Sequence, residues 1–128
     1  NTAPYLQYAY TRIRSIFRKA QESGGAAESS DGPGSEPYIL LAPEEIVLSK
    51  HLLNFGLVLE AVVEDYRPNY LCKYLYELAG HFAGFYENCP VLKSSGQAKA
   101  TRLSLCDLTG RVLKLGLEVL GIATTEKM

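Results

Sequence analysis

Tryptophan is absent from this chain, methionine occurs once, at Met128, and histidine only twice, at His51 and His81. Cysteine is sparse as well. Cys72, Cys89 and Cys106 are an odd number at wide spacing, which argues against a disulfide framework and suits a reducing compartment. No Cys-x-x-Cys pair occurs, so no zinc site is expected, and the three thiols read as small core residues. No apolar run approaches about 18 residues, so no membrane-spanning helix is expected. The opening Asn1-Thr2-Ala3-Pro4 lacks a basic region followed by an apolar stretch, so it does not read as a secretory signal. It also lacks an initiator Met, as either a piece of a longer protein or a processed chain would. The net charge is −1, so bulk charge does not advertise nucleic-acid binding, and any such function must rest on local clusters.

What is present is a globular amount of apolar residue, 47% of 128 residues, which predicts one domain over residues 1–128. Pro4 suits a first helical turn, and Leu6, Ala9, Ile13, Ile16, Phe17 and Ala20 follow at helical spacing to about Gln21. Residues 21–37 are rich in Gly, Ser and Ala without a large apolar side chain until the chain nears Tyr38; they read as a flexible loop of no assigned role. Ala42-Pro43-Glu44-Glu45 has the Pro and acids of a helix start. Ile46, Val47, Leu53, Leu57, Val58, Ala61 and Val62 continue a helical stripe, with a bend expected at Gly56. Pro68 opens a further helix with Leu71, Leu75, Leu78, Ala79, Phe82 and Phe85 inward, and Pro90 stops it. Ser94-Ser95-Gly96 starts the last long helix, carrying Leu103, Leu105, Cys106, Leu108, Val112, Leu115 and Val119, which ends near Gly121. No strand pattern of useful length occurs. The expected architecture is an all-α bundle of four to five helices with the long loop after the first.

The first helix carries a second stripe. At about 100° per residue, Tyr5, Tyr8, Arg12 and Lys19 fall in one arc of roughly 60°, whose edge lies about 110° from the apolar centre. Rings and cations together suit a single-stranded nucleic acid, whose bases stack and whose phosphates pair with the charges. The same pattern also fits tyrosines that cap the rim of a core. Tyr66, Tyr70, Tyr74, Tyr76 and Tyr86 leave the same choice open.

The string Pro4-Tyr5-Leu6-Gln7-Tyr8-Ala9-Tyr10-Thr11-Arg12-Ile13-Arg14 resembles the opening of the last, DALR-type domain of arginyl-tRNA synthetases, where Tyr-x-Gln-Tyr-Ala-x-x-Arg-Ile recurs. Phe85-Tyr86-Glu87-Asn88-Cys89-Pro90-Val91-Leu92 and Thr101–Leu113 resemble later stretches of that family in the same order. The ending Leu120-Gly121-Ile122-Ala123-Thr124-Thr125-Glu126-Lys127-Met128 resembles a Leu-Gly-Ile-x-Thr-Pro-Glu-Arg-Met terminus, with Thr125 in place of Pro and Lys127 in place of Arg. The Thr is less pre-set in conformation, and the Lys lacks the forked donor.

The resemblance implies a parent enzyme that activates arginine with ATP and joins it to its tRNA. It also implies that the catalytic motifs lie outside this chain; no His-Ile-Gly-His-like or Lys-Met-Ser-Lys-Ser-like string occurs. The domain itself then needs no cofactor or metal and contributes no catalytic residue. Its implied partners are the anticodon loop of a tRNA for arginine and the parent's catalytic domain, in the cytoplasm or an organelle, with the protein monomeric and off the membrane. The family's anticodon-facing positions fall on Tyr5, Tyr8 and Arg12, with Tyr86 a further aromatic and Met128 at the tail. Lys19, Arg14 and Arg18 are candidate phosphate contacts, and Ser94 and Ser95 suit either a cap or a phosphate. A protein–protein module anchored by exposed tyrosines is the rival reading. Asp107 and Arg111, four apart, read as an intrahelical ion pair.

Overall fold

A computed structural model describes residues 2–22, 39–65, 67–122 and 124. Five helices make it up: α1 (Thr2–Glu22), α2 (Pro43–Leu53), α3 (Phe55–Asp65), α4 (Pro68–Asn88) and α5 (Gly96–Val119). No strand occurs among the described residues. The all-α bundle expected from periodicity is what forms. Helix α1 runs through Glu22, so the start of the expected 21–37 loop is helical and its remainder lies outside the described residues.

Helix α4 is the central post and packs against all four others. Its stripe matches the expectation: Leu71, Leu75, Leu78, Ala79, Phe82 and Phe85 are all buried. They join Leu6, Ile13 and Ile16 of α1 and Leu105, Leu113 and Leu117 of α5 in one core. Each such Leu, Ile or Phe side chain contributes about 1.5–3 kcal/mol on burial. Cys89 and Cys106 are buried and Cys72 is half-buried; all three are free thiols. Burial raises the Cys106 thiol to about 12, and burial together with the nearby Glu45 carboxylate raises Cys89, so neither is reactive at neutral pH.

The buried face of α5 matches the expected one in part: Leu105 and Cys106 are buried, and Leu103 and Val112 pack half-buried against the core. Leu108, Leu115 and Val119 are exposed, while Thr101, Thr109, Gly110, Leu113, Gly116 and Leu117 are buried. The reason is close approach. A Cβ on Gly116 would lie 2.7 Å from both Leu75 methyl groups, and one on Gly110 would lie 3.2 Å from Ile13 Cγ2. Small residues let α5 press against α4 and α1, which matters more than counting leucines. The buried Thr109 hydroxyl is satisfied by donating to the Leu105 carbonyl at 2.7 Å.

The α2–α3 stripe also departs from expectation. The chain breaks at Asn54, two residues before the glycine expected to mark a bend. The break is slight, since the Val58 amide still donates to the Asn54 carbonyl at 3.1 Å. Leu48 is fully buried, but Ile46, Val47, Leu53 and Leu57 are exposed, and α3 has no buried residue. Taken together, Pro43–Asp65 is long and apolar enough to cross a membrane by length and composition, with a mean hydropathy of 1.6 over its best window. The absence of one long uninterrupted run therefore did not reveal how apolar this stretch is.

Polar contacts hold α2 in place. His51 Nε2 donates to the Tyr74 carbonyl at 3.0 Å, and the Tyr74 hydroxyl donates back to the His51 carbonyl. The two rings stack at 4.2 Å, and burial raises the Tyr74 phenol to about 12. At the start of α2, Ala42 has no capping side chain, so the buried Glu45 accepts from the Leu41 and Ala42 amides at 2.9 and 2.8 Å. Its other oxygen accepts from Arg102 Nε at 3.0 Å, and the same guanidinium donates to the Pro90 carbonyl at 2.7 Å. Thr101 accepts the Ile39 amide at 3.1 Å beside this clamp. Burial alone raises the Glu45 carboxyl, but the bonds from Ala42, Arg102 and Leu41 outweigh it and hold the carboxyl below its ordinary value.

Candidate nucleic-acid interface

Helix α1 turns its apolar stripe to the core, which leaves the tyrosine stripe on the edge facing α4. Tyr5 and Tyr8 are both exposed, Tyr8 at 58%, and Arg12 and Lys19 are exposed along the same edge. The four residues grouped on one helix by their spacing are thus open to solvent along one edge. Their span from Tyr5 to Lys19 is about 21 Å at 1.5 Å per residue.

The tertiary structure adds α4. Tyr5 meets Tyr76, with ring centroids 5.3 Å apart at a 45° tilt. Further along both helices Arg12 lies over the Tyr86 ring, 5.4 Å from its centroid, and Tyr86 stacks on Phe82 at 6.0 Å. The Phe82–Tyr86–Arg12 column fixes the guanidinium against a ring anchored in the core. Tyr8, between these two clusters, stacks on no ring among the described residues. Neither Arg12 nor Lys19 has a carboxylate partner among the described residues. An edge with an open ring, a clustered ring pair and two uncompensated cations can take both bases and phosphates.

Tyr86, placed by resemblance alone, is therefore a neighbour of Arg12. Tyr76 was missed. Its signal was available, since it lies well off the Leu71–Leu75–Leu78–Phe82 stripe, but nothing in the sequence says that α4 faces the tyrosines of α1. Tyr74, one of the tyrosines left open, belongs to the core, and Tyr70 carries Arg67 over its ring at 5.6 Å away from this edge. Tyr66 and Met128 lie outside the described residues.

The other candidates part company with this edge. Arg14 lies over Phe17 at 5.6 Å and lines a cleft between α1 and α5 with Tyr10, Asp107, Arg111 and Lys114. Asp107 and Arg111 form the expected ion pair at 2.9 Å. Ser94 donates its hydroxyl to the Val91 carbonyl at 2.6 Å, and Ser95 takes the N-cap position of α5 without a side-chain bond. Neither serine therefore caps the helix through its side chain. Among the described residues no group of three or more His, Cys, Asp and Glu could hold a metal ion.

Comparison with known proteins gives the same answer in sequence and in fold. Residues 6–128 match the family model of the DALR anticodon binding domain. The chain belongs to that family. Curated relatives named arginine–tRNA ligase include one from a Synechocystis strain, 49% identical over all of this chain and 21% of the relative. Another, from Citrobacter koseri, is 44% identical over the same shares. Among solved structures, Thermus thermophilus arginyl-tRNA synthetase superposes with a TM-score of 0.81 at 32% identity, over 98% of this chain and 21% of that one. The Plasmodium falciparum enzyme gives 0.76 at 32% identity, over 97% and 21%. The chain thus spans about a fifth of the length of these relatives.

Proposed function

We propose that the chain grips the anticodon loop of a tRNA for arginine, as the non-catalytic part of an arginine–tRNA ligase. The observation that carries this reading is the open α1–α4 edge, where Tyr5, Tyr8, Tyr76 and Tyr86 stand with Arg12 and Lys19. Tyr8 is the free platform for an unstacked base. Arg12, held on Tyr86, and Lys19, two turns on, neutralise phosphates. Stacking accepts any base, so selection among bases needs hydrogen bonds to their edges; the tail ending in Met128 is assigned there by resemblance. Activation of arginine by ATP and esterification belong to the other four-fifths of the polypeptide that the relatives carry. The compartment follows the parent, cytoplasm or organelle, and the protein acts as a monomer.

The test is tRNA binding to a full-length ligase carrying this segment. Tyr8→Ala lowers affinity by about 1–3 kcal/mol, roughly 5- to 150-fold, with the unfolding midpoint unchanged. Wild-type affinity falls steeply with salt, and Arg12→Ala reduces the slope of log K against log salt by about 1. Lost stability with intact binding would return Tyr8 to the core rim. Binding of a protein partner through the same tyrosines, with no steep salt dependence, would make the edge a protein-interaction site instead.

A further inference from the structure

The net charge of −1 conceals a separation of charge by helix. Helices α1 and α5 together carry eight Lys and Arg against three Asp and Glu, a net +5, while α2, α3 and α4 together carry two against seven, a net −5. The two cationic helices meet across a cleft of about 280 Å³, with Arg14 on one wall and Asp107, Arg111 and Lys114 on the other. The helices come close where Gly110 faces Ile13, since a Cβ on Gly110 would stand 3.2 Å from Ile13 Cγ2. On α1 the cleft residues Tyr10 and Arg14 lie about 170° around the helix from the centre of the tyrosine arc, so the cleft lies on the opposite flank.

We propose that this cleft is a binding site for a phosphate group, separate from the aromatic edge. Its guanidinium groups are held in place. Arg14 lies over the Phe17 ring at 5.6 Å, and Arg111 Nε is held by Asp107 at 2.9 Å. Asp107 is the acid of the lining and is engaged by Arg111, while Lys114 pairs with no acid among the described residues. Arg111 and Lys114 stand one turn apart on α5 and Arg14 comes from the helix opposite, so donors reach an anion from both walls. A concave site lined mainly by one sign of charge concentrates ions of the other sign. A guanidinium offers a fork of N–H donors and an ammonium three more, which suits a group with several acceptor oxygens. Tyr10, the aromatic residue of the lining, is 4% exposed and offers no open face to a base. The cleft therefore reads phosphate and not base identity. Free phosphate, pyrophosphate and the backbone of an RNA all present that group. The inference rests on the charge and shape of the cleft and not on the tyrosine edge.

The experiment follows acetylation of Lys114 by peptide mass spectrometry in a full-length ligase carrying this segment, with Lys50 and Lys73 of the acidic helices as internal references. Inorganic phosphate, pyrophosphate and a loop-free RNA duplex are titrated, each against sodium chloride at the same ionic strength. Lys114 is expected to react more slowly and saturably, by about threefold when the anion stands at twice its Kd, while Lys50 and Lys73 keep their chloride rates. Arg111→Gln, at a side chain 76% exposed, is expected to abolish the slowing. Tyr8→Ala is expected to leave it intact, which keeps a failure here distinguishable from a failure of the tRNA reading. Slowing by phosphate or pyrophosphate makes the source a free anion, and slowing by the duplex alone makes it an RNA backbone. Equal slowing at all three lysines, or the same slowing in chloride, reduces the cleft to screened surface charge and overturns the proposal. No slowing with any probe overturns it too, as does full slowing in the Arg111→Gln variant.

Discussion

Two exposed surfaces of this bundle carry large side chains, and they differ in what stands beside them. On the α1–α4 edge the exposed groups are tyrosines, interleaved with Arg12 and Lys19. On the outer face of α2–α3 they are Leu53, Leu57 and Val63, among Glu60, Glu64 and Asp65. Tyrosine offers a flat face to a base and a hydroxyl to water, and the cations draw phosphate. Leucine and valine offer no stacking face and no hydrogen bond, and the acids keep phosphate away. Exposure alone therefore predicts nothing; the neighbours decide which kind of partner each surface fits.

The largest effect separates the two sides of α2. Leu48→Ala should cost about 2–5 kcal/mol in urea unfolding, because Leu48 is wholly buried. Leu53→Ala in the same chain should stay within about 0.5 kcal/mol, because its side chain is already in water. Similar losses at both sites would break the contrast between the core face and the outer face of α2.

Gly116→Ala should cost about 1–3 kcal/mol, as its Cβ would press on the buried Leu75 methyls. The same change at Gly80, where an added Cβ meets nothing within 4 Å, should be neutral or stabilising by up to about 1 kcal/mol. Thermal unfolding of the pair checks whether close approach, not helix propensity, sets the α4–α5 contact.

Tyr76→Ala should weaken tRNA binding by about 1 kcal/mol, the low end for a stacked base, since Tyr76 is 55% exposed beside Tyr5. Unchanged affinity with weakened binding at Tyr8→Ala would shorten the RNA edge to α1 and Tyr86.

The smallest effect is one of pH. The folded Glu45 carboxyl lies below its ordinary value of about 4.5, so its contribution is complete above that value and is lost as pH falls through the lowered one. Glu45→Gln should therefore narrow the difference in stability between neutral and strongly acidic solution. An unchanged acid limb would remove the Arg102–Glu45 clamp from the acid response.

Much of this was legible in the residues themselves. The α4 stripe from Leu71 to Phe85 needed only a period of 3.6. The arc of Tyr5, Tyr8, Arg12 and Lys19 did too, because all four sit on one helix whose other face is plainly apolar. The faces of α5 and α2–α3 were not legible, for opposite reasons. In α5 the closest approach is made at Gly110, Gly116 and Thr109, which carry little hydropathy signal, and Leu108 and Leu115 remain outside while Leu105, Leu113 and Leu117 are buried. In α2–α3 apolar residues occupy both sides of the helix, so periodicity cannot say which side turns inward. Glu45 looked like a first-turn acid, yet its partner Arg102 lies 57 residues away and no local rule links them.

By itself the sequence determined that the protein is helical, where its helices start and stop to within a few residues, and that one edge of the first helix mixes rings with cations. Those are local properties, written in spacing, proline and glycine. Only the tertiary structure decided that Tyr76 and Tyr86 of α4 complete that edge, and that Leu53 and Leu57 face outward. Both depend on which helices meet and at what distance, and that is a property of packing between segments far apart in the chain.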